Sequence, residues 1–334
     1  MTGTATQAAT AMHDGLGRRI DYVRLSLTDR CDMRCRYCMA EEMVFLPRSE
    51  VLSFEEIAEL ARRFVARGVT RIRLTGGEPL ARRGAVDVAH EIGRLIGHGL
   101  EELALTTNAT RLAENADGLW DAGIRRINVS LDSLDPDRFR HVTRQGDLPR
   151  VLAGIEAARA RGFAIKINMV ALKGLNDDEI VPMLRWCGEH GFGLSLIETM
   201  PLGQIDDDRA DRFYPLTEAK TRIEAEYALV PSTQRTGGPA RYWRVPELGV
   251  TLGLISPLTR NFCDGCNRIR VSASGQLFMC LGHEENVDLR AALRSGDDGA
   301  LDHAIDRALR LKPARHDFDL ATPATARHMN VTGG

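Results

Sequence analysis

The sequence predicts an α/β fold, an incomplete TIM-like (β/α)6 barrel followed by a C-terminal α+β subdomain. Three observations lead there. Strand-like and helix-like blocks alternate six times across residues 19–205. The alternation then stops, and short strand-like stretches around a Gly/Pro-rich turn replace it. Six of the seven cysteines form two trios, one of them directly behind the first strand. Strand-then-helix units joined by right-handed crossovers build a parallel sheet. Six units curve such a sheet without supplying the eight strands that close a barrel.

The elements follow in order. Residues 1–18 are small and polar without periodicity, and are expected to form a flexible N-terminal tail. The strand Tyr22–Leu27 comes next. Ser53-Phe-Glu-Glu56 then opens a helix as a capping box; Phe54, Ile57, Ala58, Ala61 and Phe64 line one face and Gly68 ends it. Further strands are expected at Arg71–Thr75, Leu103–Thr107, Ile127–Leu131, Ala164–Val170 and Leu194–Thr199, rich in Val, Ile and Leu as covered strands are. Asn176 with Glu179 reads as a second helix start, and Gly162 and Cys187-Gly188 as helix ends. The barrel is assigned to residues 19–205 and the C-terminal subdomain to residues 206–334. The latter opens with an acidic loop, Asp206–Asp211, and a helix from near Thr217. Gly237-Gly-Pro239 then precedes strands at 241–245, 250–255 and 268–272.

Composition narrows the function. A chain of 334 residues, 43% hydrophobic and 27% charged, buries an ordinary core and is not disordered. No apolar run is long enough to span a membrane, and the first residues lack a secretory pattern, so a cytoplasmic protein is expected. With 44 Lys+Arg against 46 Asp+Glu, the net charge of −2 provides no general footprint for nucleic acid. An anionic ligand must therefore be met by a few placed cations. Clustered cysteines in such a chain point to metal or redox chemistry before disulfides. Cys187, alone, reads as a buried helix residue.

Cys31-x3-Cys35-x2-Cys38 puts three thiols on a short loop. A buried helix face is disfavoured, because Asp32, Arg34 and Arg36 crowd the same turn. Structural zinc asks for a fourth ligand that the neighbourhood lacks. Three cysteines around a 4Fe–4S cluster leave one iron open to a ligand. The second trio, Cys263-x2-Cys266-x13-Cys280, is followed by His283, so spacing alone also allows a zinc knuckle. The strand-like Cys266-Asn-Arg-Ile-Arg270 favours a second cluster, since it puts Arg268 and Arg270 on the cysteine's face, where an anion could be met.

Cys31-Asp-Met-Arg-Cys35-Arg-Tyr-Cys38 resembles the signature of the radical S-adenosylmethionine (SAM) enzymes. In that superfamily the amine and carboxylate of SAM chelate the open iron, and one electron breaks a C–S bond to give a 5′-deoxyadenosyl radical. The resemblance implies SAM-binding roles for Tyr37, for Gly77 and Glu78 in Thr75-Gly-Gly-Glu-Pro79, for Ser130 and for Met200. The whole pattern, from Gly17-Arg-Arg-Ile20 through Thr106-Thr-Asn108 and Arg125–Asp132 to Met329-Asn-Val-Thr-Gly-Gly334, is similar to the GTP 3′,8-cyclase family of molybdenum cofactor biosynthesis.

That resemblance implies two 4Fe–4S clusters, SAM, and GTP held by Arg24, Arg73, Thr106, Lys166, Arg268 and Arg270. Among these, Lys166 also stands out in the sequence as a lysine inside an apolar strand. The implied reaction removes the ribose C3′ hydrogen of GTP and joins C3′ to C8, giving 3′,8-cyclo-7,8-dihydro-GTP. Gly333 and Gly334 are implied to enter the active site and, with Arg268 and Arg270, to be needed for catalysis. The family further implies an external one-electron reductant, a homodimer, and delivery of the product to the cyclic pyranopterin monophosphate synthase. A radical SAM enzyme that modifies peptides and a zinc-organised binding module without catalysis are the competing readings.

Overall fold

The computed structural model describes residues 11–297 and 299–333. Six parallel strands form its centre: β1 (Tyr22–Ser26), β2 (Arg71–Thr75), β3 (Glu102–Thr107), β4 (Arg126–Ser130), β5 (Ala164–Ala171) and β6 (Gly193–Glu198). The crossovers are α1 (Phe54–Ala66), α2 (Ala85–Gly93), α3 (Leu112–Asp121), the pair α4 (Pro136–Thr143) and α5 (Leu148–Arg161), and α6 (Ile180–His190). All six expected strands are present, each within a residue of its expected bounds. The capping box at Ser53 forms with both of its hydrogen bonds.

Strand side chains alternate, which tells more than their apolar content. Val23, Leu25, Ile72, Leu74, Leu103, Leu105, Ile127, Val129, Ile165 and Ile167 belong to the hydrophobic core. Residues that alternate with them, Arg24, Arg73, Asn128 and Lys166, together with Thr106 after Leu105, line an internal chamber. Because successive strand side chains point to opposite faces, one face packs under the helices and the other lines the lumen.

The segment after residue 205 mixes helices and strands, as expected of an α+β subdomain. It contains α7 (Arg209–Arg212), α8 (Leu216–Glu224), β7 (Val230–Pro231), β8 (Arg241–Val245), β9 (Val250–Ile255), β10 (Arg268–Val271), β11 (Gln276–Phe278), β12 (Asn286–Asp288), α9 (Leu289–Arg294), α10 (Ala300–Arg310) and α11 (Met329–Thr332). Its strands extend the barrel sheet at both edges. β9 pairs parallel with β6 and β10 pairs parallel with β1, giving one twelve-stranded sheet in the order β12-β11-β10-β1-β2-β3-β4-β5-β6-β9-β8-β7. The subdomain thus joins the barrel through sheet pairing, its strands continuing the barrel wall.

Three local expectations are corrected in whole or in part. The flexible tail over residues 1–18 does not hold for its second part: Met12 is 1% exposed, His13 bridges Arg19, and Arg18 donates to the Cys263 carbonyl at 2.9 Å. Residues 1–10 lie outside the described residues. Asn176 stands where the helix start was expected, at the head of a 3-10 turn (Asp177–Glu179) that runs into α6, but its side chain makes no capping bond. Its Oδ1 accepts from Leu172 N at 2.7 Å, and its Nδ2 donates to the Asp132 and Val170 carbonyls, joining the ends of β4 and β5. Cys187-Gly188 ends no helix: α6 runs to His190, and Gly191, at φ 73°, caps it. Cys187 is buried, as expected. Among the described residues no helix is long and apolar enough to cross a membrane.

Replacing Asn176 with Ala removes all of these bonds inside the core. Each of the three stranded main-chain groups costs about 1–3 kcal/mol, so chemical denaturation should show Asn176→Ala destabilised by about 3 kcal/mol or more.

Candidate active site

Strand register builds the site. Arg24 of β1 pairs with Arg270 of β10 on one side and with Arg73 of β2 on the other. Asn128 of β4 pairs with Thr106 of β3 and with Lys166 of β5. All of these side chains, with Arg268, line one chamber. Arg24, Arg73, Arg268 and Arg270 are each less than 10% exposed. Arg270 Nη1 donates to the Gly333 carbonyl at 2.8 Å and Arg268 Nη1 to the Gly237 carbonyl at 3.4 Å. The Nε atoms of Arg24 and Arg73, Thr106 Oγ1, Asn128 Oδ1, Asn168 Oδ1 and Ser195 Oγ are buried without a hydrogen-bond partner.

This crowding has electrostatic consequences. Burial, then repulsion from Arg73, Arg126 and Arg24, lowers the Lys166 ammonium pKa to about 7. Burial does the same to Arg73, lowering it to about 10, with Arg24 and Arg126 adding to the effect. The Tyr22 phenol is raised by burial, but the guanidiniums of Arg73, Arg24, Arg126 and Arg268 outweigh that and bring it below its usual value. No carboxylate is hydrogen-bonded to Lys166, Arg73 or Arg24 among the described residues, and an anion of several charges would relieve all three shifted groups.

Both cysteine trios open on this chamber. The loop of the first is fastened to the end of α4: Arg34 N donates to Thr143 O and Arg36 N to Val142 O, both at 3.0 Å. Asn108 Nδ2 holds the Asp32 carboxylate at 2.7 Å and approaches Cys31 Sγ at 3.8 Å. Burial raises the Cys31 and Cys35 thiols well above the usual range and Cys38 to about 12, with mutual repulsion adding to the first two. In the second trio burial also raises Cys280, but Cys266 differs. Burial would raise Cys266, but the positive charges of Arg268 and Lys312 bring it down to about 7. His283 does not complete a zinc knuckle: its Nε2 lies 3.0 Å from the Arg315 carbonyl and its Nδ1 3.6 Å from Glu285. Among the described residues no three His, Cys, Asp or Glu side chains are gathered around a single-ion site.

Tyr37, Gly77, Ser130 and Met200 all line the chamber with the cysteines. Tyr37 OH donates to Asp132 Oδ2 at 2.8 Å. Burial raises the Asp132 carboxyl to about 6, against the pull of the Val170 amide and that phenol. Glu78 is the exception among the expected SAM contacts. It is 1% exposed, and its carboxylate accepts from Leu80 N, Thr107 Oγ1 and Asn108 N at 2.7–3.0 Å. These bonds fasten the end of β3. Burial raises the Glu78 carboxyl to about 7, and Asp32 adds to that against those three bonds. Gly77 also has a packing role, since a Cβ there would come within 2.4 Å of the Arg30 carbonyl.

Gly333 packs against Thr75 of the chamber wall. Gly333 adopts φ 69°, and a Cβ on it would meet Thr75 at 2.4 Å. Gly334 lies outside the described residues. Sequence reading missed Asn128, Asn168, Asp132, His316 and Lys312. The alternation in Arg-Ile-Asn-Val-Ser130 and Lys-Ile-Asn168 carried the signal for the first two.

Comparison with known proteins fits this geometry. Residues 25–187 match the Radical SAM superfamily model and residues 192–318 the Molybdenum Cofactor Synthesis C model. A GTP 3′,8-cyclase of Erythrobacter litoralis (strain HTCC2594) is 56% identical, over 98% of this chain and 100% of its own. The chain belongs to the GTP 3′,8-cyclase family. Further GTP 3′,8-cyclases, from Rhizobium etli (strain CIAT 652) and Rhodopseudomonas palustris (strain TIE-1), are 51% and 54% identical over at least 97% of this chain and 96% of theirs. Among solved structures, Streptococcus suis SuiB bound to S-adenosylmethionine shares the fold. Its TM-score is 0.60 at 13% identity, over 87% of this chain and 66% of that one.

Members of this family carry 4Fe–4S clusters and SAM, and the residues present suit them. Each trio offers three sulfur donors to a chamber with room beyond them, and unpaired polar atoms on β3, β4 and β5 await a ligand.

The unbalanced cations give a direct test. Inorganic triphosphate should raise the melting temperature of this GTP 3′,8-cyclase family member by several degrees, and less at high salt. Arg73→Met should raise the melting temperature of the ligand-free protein and lose most of the triphosphate effect, because an unpaired buried charge is replaced by an apolar stem.

Proposed function

We propose that this chain converts GTP to 3′,8-cyclo-7,8-dihydro-GTP, holding the nucleotide on its ring of lumen cations between the two cysteine trios. The observation that carries the reading is the in-register row Arg270–Arg24–Arg73, facing a lumen where both trios open. GTP bears about four negative charges, and guanidiniums meet phosphate oxygens with paired donors. Lys166 joins them as a point charge from β5, and Thr106 and Asn128 supply neutral partners beside it.

Cys31, Cys35 and Cys38 would hold the first 4Fe–4S cluster, with Tyr37, Gly77, Ser130 and Met200 around SAM. Cys263, Cys266 and Cys280 would hold the second. When loaded, the first cluster and SAM supply the carbon radical that takes the ribose C3′ hydrogen, given an electron from an external one-electron reductant. The protein's own contribution is placement. It fixes the triphosphate by charge, orients the ribose toward the first trio, and keeps water from the lumen with the C-terminal segment and the loop around Gly237. Product would then pass to a cyclic pyranopterin monophosphate synthase.

The chain's last two residues belong to this placement. The Gly333 carbonyl occupies Arg270, and the close approach to Thr75 excludes a side chain. Deleting Gly333 and Gly334 should abolish cyclisation while leaving the iron content unchanged, as checked by metal analysis beside product assay.

Reduced, iron-loaded protein given SAM and GTP should release 5′-deoxyadenosine as GTP disappears. SAM cleavage without GTP consumption would remove the substrate reading and leave the fold family standing.

Charge on Lys166 predicts a pH dependence. In the empty lumen its pKa is about 7, so at higher pH it is mostly neutral. A bound triphosphate favours the charged form, and binding then takes up a proton. Between about pH 7.5 and 9, where GTP stays fully ionised, GTP affinity should fall with rising pH, by up to about tenfold per unit. Calorimetry in two buffers should register the proton uptake, and Lys166→Met should flatten the profile.

A further inference from the structure

We infer that Lys312 is a positioning residue for the second cluster, the fixed counter-charge of Cys266 and the group that raises the reduction potential there. The inference rests on the reading of Cys263, Cys266 and Cys280 as a 4Fe–4S site.

Lys312 follows α10 by two residues and is 5% exposed. Its Nζ donates to Cys266 Sγ at 3.4 Å, to the Arg268 carbonyl at 3.1 Å and to the Met279 carbonyl at 2.5 Å. An ammonium has three N–H donors, so all three are engaged. Two of the acceptors are neutral carbonyls. The sulfur is the one partner that can carry the charge a buried ammonium requires.

The carbonyls have their own significance. Met279 precedes Cys280 and Arg268 follows Cys266 by two residues, so a single ammonium ties together the two segments that carry these ligands. Its position is therefore fixed by backbone and not by the cluster alone. A 4Fe–4S cluster gains one negative charge on reduction, and a cation at hydrogen-bond distance from a ligating sulfur favours that state. The same ammonium withdraws charge from the thiolate, which weakens electron donation to iron and acts in the same direction.

The test is a redox titration followed by electron paramagnetic resonance, on the full-length iron-loaded protein and its Lys312→Met and Lys312→Arg variants. The second cluster's signal is the one missing from Cys280→Ala. In Lys312→Met the midpoint of that signal should move to more negative potential while the first cluster's stays in place, and Lys312→Arg should remain near the wild-type value. Loss of the second cluster's iron from Lys312→Met, with retention in Lys312→Arg, would equally support a required charge. Full iron content with both midpoints unmoved in Lys312→Met would overturn the inference, as would equal shifts in the two variants. A wild-type protein with no signal that depends on Cys280 would instead bring down the cluster reading beneath it.

Discussion

Side-by-side guanidiniums in the lumen are the constraint around which the molecule is arranged. Parallel register places Arg24 between Arg270 and Arg73, inside a wall that allows them little access to water. Like charges directly opposed across strands are unfavourable, and burial compounds the cost. A sheet holds such a row only when its other face compensates. Here that face is the apolar set on β1 to β6, packed under α1 to α6. The apolar outer face and the charged inner face thus belong to one design: the first supplies the stability that the second consumes, and an anionic ligand relieves the strain.

The same constraint explains why the C-terminal third joins the sheet at both edges. β9 extends the wall beyond β6, and β10 extends it beyond β1, carrying Arg268 and Arg270 into line with Tyr22 and Arg24. A separately packed layer could bring cations near the lumen, but hydrogen-bonded register fixes their spacing along the strand. The antiparallel partners β8 and β11 then cover what would be exposed edges of the parallel sheet. Arg18 and Lys312 fasten the cysteine loop from below, one through the Cys263 carbonyl and the other through Cys266 itself.

Much of this was legible in the sequence wherever the signal was local. The six strands, the capping box at Ser53 and the glycine stop at Gly162 each depend on neighbours within a few residues. Where the deciding partner is distant in sequence, local pattern misleads. Asn176 and Glu179 have the spacing of a cap, yet Asn176 turns to backbone groups of Asp132 and Val170. Glu78 likewise gathers partners that its own segment does not announce, the Thr107 hydroxyl and the Asn108 amide at the end of β3. The edge pairings of β9 and β10 are longer-range still. Nothing in residues 250–255 or 268–271 distinguishes a strand of a new layer from one that continues an old wall.

The two trios show how one ligand set can serve two purposes. Cys31 has the Asp32 carboxylate 4.0 Å from its sulfur, and the hydrogen-bonded Tyr37–Asp132 pair lies across the same chamber. Cys266 instead faces the Lys312 ammonium, with Arg268 two residues away. Guanidiniums also reach the first loop, Arg34 at the Cys31 and Met33 carbonyls and Arg144 at the Arg34 carbonyl, so charges of both signs surround that trio, whereas at the second an ammonium meets the sulfur itself. A site lined with cations is suited to an anionic ligand. Three cysteines are common to both sites, and the charges packed around them are what sets one apart from the other.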